Sequence, residues 1–205
     1  MDKYPSTLDK LALAVESSKV AKEMVVQQDG IGEDLNFNLM GWRDSELVAV
    51  AQLSQVFMAD KEDRFSRIIH AACVMRQGWE IDSFTFIAEG YCSFDKSATD
   101  GRDMAEVFAE QNSPVEQCLA FTHVDEDEIM YVTVPYTCSH PRRVDFADAL
   151  RYQGEKVLRD GRYPHALSRV LMLEAEELDD EMDRDAYLEF LAEGLQHLGF
   201  AINYR

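Results

Sequence analysis

The chain has 205 residues, 46% of them hydrophobic, and carries 39 Asp and Glu against 20 Lys and Arg for a net charge of −19. That much apolar side chain offsets the entropy of folding and excludes a disordered acidic tail. The charge excludes a dedicated phosphate-backbone binder, because nucleic acid is repelled over most of such a surface.

The first predicted element is a helix. Ser6 and Asp9 behind Pro5 make a capping-box-like start, and Leu11, Ala14, Ala21 and Val25 recur on one face, supported by Leu13, Val20 and Met24. Asp29, Gly30 and Gly32 end it. Leu35, Phe37 and Leu39 alternate with polar residues, Gly41 to Ser45 offers a turn, and Leu47 to Leu53 is a β-leaning run, so a hairpin follows. Phe65, Ile68, Ile69, Ala72 and Cys73 then repeat at helical spacing, with Gly78 just past the end. From Ile81 to Cys92 the period changes to two with apolar residues on both faces, which predicts a central strand.

A short helix carrying Met104, Val107 and Phe108 stops before Pro114, and two strands, Val115 to Val124 and Ile129 to Tyr136, flank the acidic connection Asp125 to Glu128. From Val144 onward the reading is helical. Leu167, Val170 and Leu171 follow Pro164, and Tyr187, Leu188, Leu191, Leu195 and Leu198 form a final stripe ended by Gly199. Phe200 to Tyr204 reads equally as an edge strand or a docked tail. The expected fold is α+β: a central, mostly antiparallel sheet of about five strands with helices packed on it and a helical C-terminal third. One domain over 1–205 is expected, with a possible division into an α+β core at 1–136 and a helical acidic extension at 144–205.

Met1-Asp2-Lys3 opens the chain without the basic and apolar segments of a secretory signal, and the longest uncharged apolar-rich stretch, Leu47 to Ala59, has 13 residues, well short of a membrane span. Four cysteines, Cys73, Cys92, Cys118 and Cys138, show no CxxC spacing, so they read as reduced thiols of a cytoplasmic protein. Gly30-x-Gly32 runs from helix to strand, the reverse of a dinucleotide-binding turn, and there is no phosphate loop, GxSxG elbow or HExxH.

Two candidate chemistries remain. His70 with Cys73 on a helix, and Cys138 with His140 on an extended segment, each could supply two ligands to a tetrahedral zinc, although neither spacing matches a common zinc module. The competing reading is a core cysteine and a surface histidine, and no metal or cofactor is assigned. Glu89 and His123 lie on predicted strands, where a buried carboxyl beside an imidazole could act as general acid and base. The competing reading is a solvent-facing Glu and a strand-end His, and no catalytic residue is assigned.

Charge patterning is the most specific feature. Between Leu171 and Glu193 stand ten acids, Glu174, Glu176, Glu177, Asp179, Asp180, Glu181, Asp183, Asp185, Glu189 and Glu193, against the single basic Arg184, so these 23 residues carry −9. Leu178, Met182 and Tyr187 break the block, and its C-terminal part keeps helical periodicity, which places it on a folded face. Such a face draws in a basic partner by steering, or serves only as a solvated surface. Asp179 to Asp185 lacks the glycine and spacing of a calcium loop.

The stretch DSFTFIAEGYCSF at 82–94, then GRDMAEVFAEQNSPVEQCLAFTHVDEDEIMYVTVPY at 101–136, resembles uncharacterised accessory proteins encoded by phages of actinobacteria. In them a helix, a strand ending EGY and a long hairpin follow one another, and the similarity spans roughly residues 60–136. It implies a small protein of the infected cytoplasm that acts on host or phage machinery, and it carries over no site residues. The expected function is therefore an acidic binding or regulatory protein, of inhibitor or nucleic-acid-mimic type, that engages a basic protein through residues Glu174 to Asp185, without direct nucleic-acid or membrane contact. The alternative is a small enzyme or ligand binder with a pocket near Glu89 and His123, or a zinc-stabilised domain.

Overall fold

The structure is a computed structural model that describes residues 6–29, 35–54, 60–93, 102–110, 113–140, 142–153, 162–173 and 183–204. Within them the elements run α1 (Thr7–Asp29), β1 (Asn38–Arg43), β2 (Glu46–Leu53), α2 (Lys61–Gly78), β3 (Ser83–Ser93), α3 (Met104–Phe108), β4 (Val115–Val124), β5 (Ile129–His140), β6 (Arg143–Phe146), β7 (Leu150–Gln153), α4 (Arg162–Leu171), α5 (Arg184–His197) and β8 (Phe200–Tyr204). The strands form one antiparallel sheet in the order β6-β5-β4-β3-β1-β2-β8, with β7 also on β5.

The fold is α+β as the periodicities imply, but the sheet has eight strands among the described residues instead of about five. The difference lies in the last third, where helix was expected from Val144. Arg143–Phe146 and Leu150–Gln153 are strands, lying end to end along the outer edge of the 12-residue β5. They are too short to show a period of their own, and the backbone groups of β5 settle their conformation. The ladder breaks between them near Pro135, which has no amide hydrogen to donate, while its carbonyl still accepts from Ala147 N–H at 2.8 Å. The next helix among the described residues begins at Arg162.

The β1–β2 hairpin turns on Asp44 and Ser45, both with positive φ (49° and 75°), as a two-residue turn matched to strand twist requires. The turn is tighter than the Gly41 to Ser45 segment the sequence offered, because β1 runs through Gly41 to Arg43. At the other end, Gly199 adopts φ 93° to turn the chain out of α5 into β8, which pairs with β2 as an edge strand.

Each face of the sheet is covered. Helices α2, α4 and α5 pack on one side with Leu39, Ala51, Leu53, Phe84, Phe86 and Phe200. Gly78, the last residue of α2 and not a residue beyond it, permits a close approach of α5: a Cβ there would sit 2.3 Å from Leu191 Cδ1. Helix α1 packs on the other side, over Ile87, Leu119, Phe121, Val132, Val134 and Tyr136. Its start carries the expected capping box, with Ser6 N–H donating to Asp9 Oδ2 at 2.8 Å and Asp9 N–H to Ser6 Oγ at 3.4 Å. Among the described residues no helix is long and apolar enough to cross a membrane.

Candidate functional site

The buried edge of α1 is the repeat Lys10, Ala14, Ser18, Lys22 and Val26, with Leu11 and Val15 beside it. Spacing of four keeps these residues on one side of the helix, so two lysines are driven onto the sheet together with the apolar residues. Each meets a polar cluster prepared by the strands.

The first cluster surrounds Glu89 on β3. Lys22 Nζ lies 2.6 Å from Glu89 Oε1, with side-chain exposures of only 1% and 5%. The Tyr136 hydroxyl donates to the same oxygen, Leu35 N–H donates to Oε2 at 2.6 Å, and Lys22 Nζ sits 5.2 Å from the centre of the Tyr136 ring. Each of these three contacts to the carboxylate is a donor, and one is a cation. A buried charge in that arrangement is satisfied, and removing either ion leaves the other stranded.

The second cluster surrounds His123, which is fully buried opposite Thr85. Trp42 Nε1–H donates to Thr85 Oγ1 at 3.0 Å, and Thr85 Oγ1 lies 2.8 Å from His123 Nδ1. The threonine oxygen, accepting from Trp42, keeps its own hydroxyl hydrogen available for Nδ1. Nε2 faces Asp125 Oδ2 at 3.7 Å, within ion-pair range but beyond a hydrogen bond. Asp125 also accepts from the Thr7 hydroxyl at 2.8 Å and from the amides of Asp127 and Glu128 at 3.0 and 2.6 Å. Burial works to raise its pKa, yet the neighbouring His123, the Thr7 hydroxyl and the two amides outweigh burial and hold the carboxyl well below its ordinary range. Beside this group Lys10 Nζ donates to Ser83 Oγ at 2.7 Å, and Ser83 donates to Asp82 Oδ1 at 2.8 Å.

Glu89 and His123 thus share the α1 face of the sheet but are not brought together. His123 pairs with Thr85 and Glu89 with Leu119, so they stand four residues apart along β3, about 13 Å at the usual rise. Both are committed internally. A His–Asp pair and a Lys–Ser contact are residue types used in catalysis, but Lys10, Ser83, Thr85 and His123 are buried, and their geometry pins α1 to the sheet. Asp125 comes from the acidic turn at 125–128, whereas Lys10, Lys22 and Tyr136 are the members that sequence reasoning missed. The signal was two lysines inside a stripe of otherwise small and apolar residues.

The metal candidates are also separated. His70 is exposed on α2 and Cys73 packs at the margin of the core on that side, whereas Cys138 packs on the opposite, α1 side. The His140 side chain lies outside the described residues. Among the described residues no three His, Cys, Asp or Glu are grouped to hold an ion.

Of the acidic block, Glu174, Glu176, Glu177, Asp179, Asp180 and Glu181 lie outside the described residues. Asp183 is the N-cap of α5, accepting the Asp185 amide at 3.1 Å and that of Ala186 at 3.5 Å. Asp185 lines a cleft of about 400 Å³ with Arg43, Trp79, Glu80, Arg184, Leu188 and Tyr204. Arg43 and Arg184 both reach Glu80 Oε2, each at 3.2 Å. Further along α5, Phe190 is 69% exposed, next to the exposed Glu189 and three residues before the exposed Glu193. No family model matches the chain, and the comparisons found no similar curated protein or solved structure.

Proposed function

We propose that the chain is a non-catalytic acidic binding protein that engages a basic protein partner through the outer face of α5 and the acidic segment leading into it. The observation that carries this reading is Phe190, a large aromatic side chain 69% exposed among carboxylates. Carboxylates alone make a solvated surface. With an aromatic anchor among them, the face combines the long-range steering and the central apolar contact on which protein interfaces depend. Gly194, one turn beyond Phe190, has open space where a Cβ would stand, so the surface beside the ring is uncrowded. The 23 residues from Leu171 to Glu193 hold −9 of the −19 total, which concentrates the field on this side of the sequence. The internal commitment of Glu89 and His123 weighs toward binding and against an enzyme centred on those two residues. On the resemblance of residues 60–136, the partner belongs to host or phage machinery.

The test is affinity capture by three forms of the full chain, wild type, Phe190→Ala and Glu189→Lys/Glu193→Lys, at low and high salt, with captured proteins identified by mass spectrometry. The expected result is one basic protein held by the wild type at low salt and lost with either variant and with salt. Capture indifferent to both variants would sink the reading.

A further inference from the structure

We propose that Cys92 and Cys118 form a peroxide-sensitive dithiol that closes into an intrachain disulfide between β3 and β4. The register places them. Cys118 stands opposite Gly90 and Cys92 opposite Glu116, so the cysteines occupy diagonal positions on one face of neighbouring strands. The residue directly across from Cys118 has no side chain, and a Cβ built at Gly90 meets nothing within 4 Å, so nothing stands between the thiols. Both are free thiols, Cys92 half-buried and Cys118 buried at 1% exposure. A peroxide therefore reaches Cys92 first.

The electrostatics divide the roles in the same way. The Cys118 thiol beside it holds Cys92 below the ordinary thiol value, against burial and the Glu116 carboxylate, which push it up. Cys118 is pushed up, by Cys92 first and then by burial and the Glu89 and Glu116 carboxylates. Of the two thiols, Cys92 is thus the one that gives up its proton more readily. The Cys92 thiolate attacks hydrogen peroxide, breaking the O–O bond to give the sulfenic acid and hydroxide, which takes a proton to become water. Cys118 sulfur then displaces the sulfenic hydroxyl, forming the S–S bond, and its proton leaves with that hydroxyl as a second water. Two thiols and one peroxide give one disulfide and two waters. The bond requires the strands to draw in at Gly90, since diagonal positions are more widely spaced than direct partners.

The experiment treats the reduced full chain with hydrogen peroxide, alkylates it under denaturing conditions and maps the peptides. Expected are a mass loss of two hydrogens, a linked peptide joining Cys92 to Cys118, reversal by dithiothreitol, and alkylation of Cys73 and Cys138. Cys118→Ser should stop at a Cys92 sulfenic acid trapped by dimedone, and Gly90→Val, which fills open space, should slow closure without slowing the first step. Alkylation of both cysteines after peroxide, a bridge involving Cys73 or Cys138, or a wild-type product that stays at sulfenic or sulfinic acid would each overturn the proposal.

Discussion

Lys22 on α1 and Glu89 on β3 form an ion pair of 2.6 Å within the apolar contact between the helix and the sheet. Neither residue belongs to a surface network. The Tyr136 hydroxyl and the Leu35 amide also donate to the carboxylate, so one side chain joins α1, β3, β5 and the segment entering β1. Because the pair ties one point of α1 to one point of β3, it fixes where that helix lies along the strands.

Breaking the pair on one side should therefore be costly. Lys22→Met leaves the Glu89 carboxylate buried without its cation, and removing one partner of a buried pair costs about 3–5 kcal/mol. Lys22→Met combined with Glu89→Leu removes both charges and should recover much of that loss, since apolar replacement of a whole pair is often neutral. Urea denaturation of the three proteins checks this. If the double variant were as unstable as the sum of two single losses, the pair would not be the unit that matters.

Asp125 sets an acid limit. Its carboxyl is held below the ordinary value of 3.8, so the folded state binds its proton less readily than the unfolded chain does. The stability this contributes is complete above the unfolded value and is lost as pH falls through the lower folded value. Asp125→Asn keeps an oxygen for the turn amides and the Thr7 hydroxyl but cannot ionise. The stability gap between wild type and variant should be constant above about pH 5 and narrow below it. Denaturation curves from pH 7 to pH 2 give the gap; one that stayed the same size throughout would show that the depressed carboxyl does not contribute.

The elements legible in the sequence are those with a period of their own. α2 shows its stripe, with Ile68 and Ala72 buried, and β3 its two-residue alternation, because their burial is decided within one segment. β6 and β7 have four residues each and become strands only because β5 offers an unpaired edge, which no local pattern reports. The candidate site divides similarly. Glu89 and His123 could be named as strand residues in an unusual setting, but their partners come from Lys22, 67 residues away, and from Thr85, 38 residues away. Lysine reads as surface in any composition scale, and only its place within the 10, 14, 18, 22, 26 repeat shows that it must be buried.

The last strand should be structural. β8 is an edge strand of five residues, yet Phe200 is buried with the α2, α4 and α5 core, and the chain leading into it is tied by Ser54 N–H to Gly199 carbonyl at 3.0 Å and by Arg67 Nη1 to Leu198 carbonyl at 2.7 Å. Phe200→Ala should cost about 3–5 kcal/mol, as truncation of a core phenylalanine does. Ala201→Ser, on an exposed position of the same strand, should change stability by no more than about 0.5 kcal/mol. Loss of β8 also uncovers the β2 edge at Val50, Gln52 and Ser54, a template for pairing with a second chain. Amide exchange at Val50, Gln52 and Ser54, whose N–H groups face β8, should therefore quicken in Phe200→Ala and not in Ala201→Ser. Equal exchange in both variants would mean that β8 decorates the sheet without holding its edge.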